Sequence, residues 1–145
     1  MRKIIKEVKY RGSYDLLNEL VEIWMPQRPQ GPVIVTSVPM WEKKKRVRGY
    51  NQAELIAREV ARRWSVEYYE ALVRNRDTQP MYGLKKCERL ENVRGAFILH
   101  PKFEVKNKTL VLIDDVWTSG ATTRECVAEL KRAGLKQIIV LSLAR

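Results

Sequence analysis

An apolar run, Thr109-Leu110-Val111-Leu112-Ile113, ends in two adjacent carboxylates, Asp114 and Asp115. Small and hydroxyl-bearing residues follow, Thr118-Ser119-Gly120-Ala121-Thr122, and they open a stretch of helical spacing from about Thr122 to Ala133, with Cys126, Val127 and Leu130 on its inner side. No other feature constrains the fold as much. A run without polar alternation implies a strand covered on both faces, which is the habit of parallel sheets. Parallel neighbours need a crossover, and the helix supplies it. Gly134 stands where a helix end favours positive φ, and Gln137 to Leu143 reads as the next apolar strand. The C-terminal third is therefore a βαβ unit, and the predicted class is α/β with a right-handed crossover.

The same segment bounds the chemistry. Open α/β sheets bind ligands beyond the carboxyl ends of their strands, and Asp114 and Asp115 fall there. The backbone N–H groups and hydroxyls of Thr118 to Thr122 can surround a phosphate, helped by about half a positive charge at the helix N-terminus. The carboxylates cannot favour that phosphate, because like charges repel; they suit hydroxyls or a divalent cation. A ligand with a phosphate at one end and vicinal hydroxyls at the other satisfies both, and a ribose 5-phosphate is such a ligand. The segment has neither the GxxxxGK[ST] spacing of a Walker loop nor the GxGxxG of a dinucleotide fingerprint.

Upstream, helices and strands continue to alternate. Leu16, Leu17, Leu20, Val21 and Trp24 give helical spacing over Asp15 to Trp24, with Ser13 as N-cap and Pro26 as stop. Val33 to Val38 reads as a buried strand and Trp41 to Arg48 as a basic loop. Ala53, Ile56, Ala57, Val60, Ala61 and Trp64 form one apolar stripe, preceded by an Asn51/Glu54 cap pair. Val66 to Val73 reads as a strand, Leu84 to Glu91 as a short helix and Ala96 to Leu99 as a short strand.

At 145 residues the chain suits one domain, residues 1–145. Its formal net charge of +11 favours phosphate, nucleic acid or an anionic membrane without choosing among them. No apolar run reaches the roughly 18–20 residues of a membrane span, and the charged start Met1-Arg2-Lys3 is unlike a signal peptide. Two cysteines, Cys87 and Cys126, form no CxxC pair, and with His100 as the single histidine no protein zinc site is expected. These features fit a reduced cytoplasmic compartment. Cys126 and the four tryptophans, Trp24, Trp41, Trp64 and Trp117, read as core residues, with Trp117 notable for lying inside the acidic and Gly-containing segment.

That segment resembles the binding motif for 5-phosphoribosyl-1-diphosphate (PRPP) in type I phosphoribosyltransferases. Val38-Pro39-Met40 with Arg48-Gly49-Tyr50-Asn51-Gln52-Ala53-Glu54-Leu55 resembles the V-P…R-G-[FY]-N-Q-A-x-L signature of the competence protein F (ComF) family. Arg76-Asp77-Thr78, Leu84, Arg89 and Asn92-Val93-Arg94-Gly95-Ala96-Phe97 are similar to that family's next block, and Lys9-Tyr10-Arg11-Gly12 to an earlier one. The resemblance implies a type I phosphoribosyltransferase-like fold, a central and mainly parallel sheet flanked by helices. It implies ribose hydroxyls and Mg2+ at Asp114 and Asp115, and the 5-phosphate at Thr118, Ser119, Gly120, Ala121 and Thr122. The loop after Val38-Pro39 would face the diphosphate, aided by Lys45, Arg46 and Arg48, and Arg76 would sit on a mobile loop over the ligand. Family members are associated with DNA uptake in natural transformation, so single-stranded DNA and competence proteins are expected partners.

Departures from the family pattern bear on these expectations. The family's frequent N-terminal zinc ribbon is missing, which reads as a short form. Met81 stands where the family carries Gln. Thr118 stands where oxopurine transferases carry an Asp that acts on the base, which argues against purine salvage. Only about the first thirty residues are available for an acceptor-binding hood. Two readings stay open at this point. One is a phosphoribosyltransferase working by displacement at ribose C1. The other is a non-catalytic module that keeps the phosphate site and binds single strands or protein partners. For the second, Lys43, Lys44, Lys45, Arg46 and Arg48 form the DNA-facing run, with Trp41 and Tyr50 beside it for base stacking.

Overall fold

In the computed structural model, which describes residues 14–79, 83–104 and 107–144, the apolar runs Val33–Val35 and Leu110–Ile113 lie side by side. Strand β1 (Val33–Ser37) pairs in parallel with β5 (Thr109–Val116), Val33 opposite Thr109 and Ser37 opposite Ile113. Strand β2 (Glu67–Tyr68) adds in parallel outside β1, and β6 (Ile138–Ala144) outside β5, giving a four-stranded sheet in the order β2-β1-β5-β6. The expected parallel α/β architecture is present.

Period-two alternation explains why these strands carry no polar face. Val33, Val35, Val111 and Ile113 point to one side, where α1 (Tyr14–Trp24) packs through Leu17, Leu20 and Val21 and α3 (Gln52–Trp64) through Ile56, Ala57 and Val60. Ile34, Leu110 and Leu112 point to the other, against Cys126 and Leu130 of α5 (Ala121–Arg132). A small antiparallel sheet closes that second layer. It consists of β3 (Leu72–Arg74) and β4 (Phe97–Leu99), with α4 (Lys86–Val93) between them in sequence. The described part of the first thirty residues, α1, belongs to the first layer. Ser13 and Met81 lie outside the described residues.

Three sequence expectations need correction. Val66 to Val73 is two strands in two sheets, because the chain leaves β1 at Tyr69, whose N–H bonds Val35 O at 2.9 Å, and the Ala71 N–H is taken by Thr36 Oγ1 at 3.1 Å. The basic stretch is a helix, α2 (Glu42–Arg48), where a loop was expected. Glu42 lies in its first turn and Lys45, Arg46 and Arg48 in its last, which complements the helix dipole, and Gly49 ends it at φ 86°. None of its residues is buried, so no apolar stripe marked it in the sequence. Asn51 flanks α3, yet it makes no side-chain cap: its Nδ2 donates to Val38 O at 3.0 Å, while Glu54 binds Lys45 and Arg58.

Cys126 is fully buried, and burial pushes its thiol well above the usual range, whereas Cys87 is exposed. A thiol reagent should modify Cys87 alone in the native protein and both cysteines only after denaturation. Rapid modification of both in the native state would contradict this core.

Candidate functional site

The sheet's carboxyl edge opens into a cleft of about 330 Å³. One wall is the end of β5. Pairing with β6 continues past the apolar run to Asp114↔Ser142 and Val116↔Ala144, so both acids sit on regular strand. Asp114 Oδ1 accepts the Asp115 N–H at 2.9 Å and Asp114 Oδ2 accepts the Thr123 hydroxyl at 3.0 Å. Asp115 Oδ1 accepts the Val116 N–H at 2.9 Å. Thr123, in the first turn of α5, thus ties that helix to the acid pair. Burial, and then the charge of Asp115, push the Asp114 carboxyl up to about 7, against the opposing effect of the Thr123 hydroxyl. Ionising both acids is costly here, and a cation or hydroxyl donors between them would lower that cost.

The turn into α5 forms the next wall. Gly120 adopts φ 72°, and a Cβ there would stand 2.8 Å from Cζ2 of the Trp117 ring. Trp117 is fixed in turn, its N–H bonding Ala144 O at 2.8 Å and Ser142 Oγ at 3.0 Å. The ring therefore lies against the glycine backbone, a close approach that only glycine permits. Thr118, Gly120, Ala121 and Thr122 line the cleft beside the acids. Ser119 does not; its hydroxyl accepts the Ala121 N–H at 3.4 Å and shapes the turn. The first turn of a helix leaves N–H groups without intrahelical partners, which suits an anion.

Val38, Pro39 and Met40 form the facing wall, held by the Asn51 amide. Arg74, at the end of β3, also reaches the cleft. Among the described residues the cleft thus combines acids, a tight glycine turn and one arginine.

The other cations named from sequence lie elsewhere. Lys45 pairs with Glu54 at 2.7 Å, Arg46 with Glu42 at 3.2 Å and Lys44 with Asp77 at 3.5 Å. Hydrogen bonding to Glu54 holds the Lys45 ammonium above its usual range. Lys43, Lys44 and Arg48 line a separate groove with Trp41, Val47 and Asp77. Lys45, Arg46 and Arg48 do not line the main cleft. Arg76 is likewise outside it, donating to the carbonyls of Arg94 at 2.7 Å and Asn92 at 3.3 Å.

Three polar cleft residues are not among the sequence-derived site candidates: Arg74, Asn51 and Thr123. Arg74 carried no signal in the sequence, because it reaches the cleft from β3 of the separate antiparallel sheet. Thr123 lies one residue past the Thr-rich turn, and only the first turn of α5 brings it under Asp114.

A family model described as phosphoribosyl transferase domain matches residues 51–145. The DNA utilization protein YhgH of Escherichia coli (strain K12) is 32% identical over 130 residues, covering 87% of this chain and 56% of that protein. Competence protein F of Haemophilus influenzae is 32% identical over 116 residues, 79% of this chain and 51% of that protein. Competence protein ComFC of Bacillus subtilis is 26% identical over 146 residues, 92% of this chain and 55% of that protein. The chain spans about half the length of these relatives. Among solved structures, the glutamine PRPP amidotransferase from B. subtilis superposes with a TM-score of 0.56 at 19% identity, over 88% of this chain and 25% of that one. The adenine phosphoribosyltransferase of Thermoanaerobacter pseudethanolicus gives 0.51 at 13% identity, over 94% and 83%. These two share the fold.

Proposed function

Because the chain belongs to the phosphoribosyl transferase domain family and is related to competence protein F, we propose that its cleft binds PRPP, or a related ribose 5-phosphate, with Mg2+. The observation that carries this is the placement of an acid pair and a glycine-pinched helix N-terminus in one cleft. The two subsites have opposite electrostatic demands, and a ribose 5-phosphate meets both. The 5-phosphate takes the N–H groups of Thr118 to Thr122, with Thr118 and Thr122 hydroxyls beside it. The ribose hydroxyls take Asp114 and Asp115.

Among the described residues no three acids, histidines or cysteines gather into a metal cage. Mg2+ is commonly held by one or two carboxylates together with substrate phosphates, and Asp114 with Asp115 fits that shared arrangement. Bound there, the ion would neutralise charge on the diphosphate. The protein's own contribution is positioning. Thr123 holds Asp114, Trp117 holds the Gly120 turn, and Asn51 holds the Val38 loop. Should an acceptor attack ribose C1, the C1–oxygen bond breaks and diphosphate leaves with the electron pair. Calorimetry with PRPP in the presence of Mg2+ tests the reading: saturable binding weakened by EDTA is expected, and no heat at any ratio would overturn it.

A second reading, contact with single-stranded DNA, is favoured by the groove along α2. Val47 is 87% exposed there, next to Trp41, Lys43 and Arg48. The names of the relatives, DNA utilization protein and competence protein, point the same way for a process that uses DNA. Lys45 stays engaged with the largely buried Glu54, whereas the partners of Lys44 and Arg46, Asp77 and Glu42, are exposed and readily exchanged; with Lys43 and Arg48 they make four cations for phosphates. The logarithm of the affinity should then fall with the logarithm of salt with a slope of roughly −2.8, at about −0.7 per single-strand contact. Lys43→Gln with Lys44→Gln should bring it to about −1.4. An unchanged affinity and slope in that variant would remove α2 from any DNA interface.

A further inference from the structure

The groove beside α2 carries one acid among its cations, and that acid is placed to do more than balance charge. Trp41 and Val47 give the groove an apolar side, Lys43, Lys44 and Arg48 give it positive charge, and Asp77 stands on it from the loop after β3. Its volume, about 390 Å³, suits a ligand the size of one nucleotide and is too small for a duplex. Both contacts of Asp77 fall on one oxygen: Oδ1 accepts the Thr78 N–H at 2.9 Å and lies 3.5 Å from the Lys44 ammonium. Among the described residues no donor bonds Oδ2, and the side chain is 57% exposed. Against desolvation, the Thr78 N–H and the charge of Lys44 hold the carboxyl below its usual range, so it is ionised at neutral pH.

An ionised acid weakens a surface that only tracks phosphates, because like charges repel. It is useful where a base edge arrives instead, since a carboxylate accepts from the exocyclic amino group of a base such as cytosine. Stacking on an aromatic ring holds a base whatever its identity, so the edge presented to the acid decides the preference. Resting on the single-stranded DNA reading above, we infer that the α2 groove seats one unpaired base against Trp41 and that Asp77 Oδ2 accepts its amino group. The groove then favours the amino-bearing bases cytosine, adenine and guanine over thymine or uracil. Uracil offers only a ring N–H flanked by two carbonyls, whose oxygens repel the carboxylate. Lys43, Lys44 and Arg48 serve the flanking phosphates. When Lys44 turns to a phosphate, the Thr78 N–H still holds Oδ1, and Oδ2 keeps its direction.

The test is fluorescence anisotropy of the full chain with short single strands of deoxycytidine and of deoxyuridine, which differ only on the pairing edge of the base, at low salt and mildly alkaline pH. The wild-type chain should bind the cytidine strand about five- to tenfold more tightly. Asp77→Asn keeps an oxygen for the Thr78 N–H and puts an amide donor where Oδ2 was. The ratio of the two affinities should then fall to about one or invert toward uridine, even as the loss of a negative charge raises both. A purely electrostatic part for Asp77 would raise both affinities and leave the ratio where it was, which overturns the inference. Trp41→Leu should weaken both strands about five- to tenfold, and undiminished binding would remove the base from this groove. Equal binding of the two strands by the wild-type chain also overturns the inference, while the DNA reading stands. A wild-type chain that binds neither strand, or a Lys43→Gln with Lys44→Gln variant that binds like the parent, overturns the DNA reading of α2 itself.

Discussion

Valine in place of Gly120 should lower PRPP affinity by about a hundredfold or more, while the sheet still forms. Three effects act together. Gly120 sits at φ 72°, where a residue with a Cβ is strained by roughly 1–2 kcal/mol and a β-branched one by more. The added Cβ would lie 2.8 Å from Trp117 Cζ2, and the Trp117 backbone is tied to Ala144 and Ser142. Rotation of the indole cannot relieve the φ strain; only the turn can, and its movement swings the Thr118 to Thr122 backbone away from the position a phosphate would take. Each N–H bond to a charged group contributes about 1.5–3 kcal/mol, so misplacing two of them accounts for the expected loss. Calorimetry with PRPP reads the affinity, and far-UV circular dichroism reports the fold. Gly120→Ala combined with Trp117→Leu removes the ring but keeps the φ strain, and it should recover part of the affinity. Unchanged binding in Gly120→Val would place the phosphate subsite elsewhere.

The parts of this site that were legible in the sequence share one physical property: their function depends on local order along the chain. An apolar strand, two acids, a glycine turn and a helix start occupy consecutive positions, so residue type and spacing alone locate Asp114 to Thr122. The central strands were legible for a similar reason. Val33–Val35 and Leu110–Ile113 are buried on both faces, and such runs, rich in β-branched residues and bounded by turn signals, suit a strand covered on both sides.

The misreadings have the opposite character. Helix α2 buries nothing, so its stability comes from ion pairs and helix propensity, which leave no periodic signature. The stretch from Val66 to Val73 is uniformly suited to strand, and only the tertiary bonds of Tyr69 and Ala71 divide it between two sheets. Asn51 and Glu54 match a capping pair by type and spacing. Longer-range partners outcompete the cap: Val38 O for Asn51, Lys45 for Glu54. The partners of Lys45 and Arg76, namely Glu54 and the carbonyls of Asn92 and Arg94, are likewise set by tertiary packing and leave no mark along the chain. Arg74 reaches the cleft because β3 and β4 form a separate sheet over the second face, an arrangement with no one-dimensional trace.

Asp114→Asn with Asp115→Asn should separate the two halves of the cleft and reveal what the acids cost the fold. The double variant is expected to lose most of its Mg2+-dependent affinity for PRPP, on the order of a hundredfold, since two charged contacts at about 1.5–3 kcal/mol each disappear. Inorganic phosphate should bind the variant about as well as the parent, because the Thr118 to Thr122 turn is untouched and a repulsive charge has gone. Stability should move the other way. Burial, and then the charge of Asp115, raise the Asp114 carboxyl from 3.8 to about 7 in the folded protein. The contribution of the protonated carboxyl is fully present below about pH 3.8 and is lost as the pH rises through about 7, where the folded chain must also ionise. The metal-free parent should therefore melt at a lower temperature at pH 8 than Asp114→Asn, by a few degrees at about 2–4 °C per kcal/mol, and the two curves should converge near pH 4. A variant that binds PRPP poorly yet melts higher at pH 8 identifies acids kept for a ligand at the expense of the fold. Equal loss of PRPP and phosphate, with a melting temperature below the parent's at every pH, would show instead that the Asp114–Thr123 contact is structural and that the cleft draws no specificity from its acids.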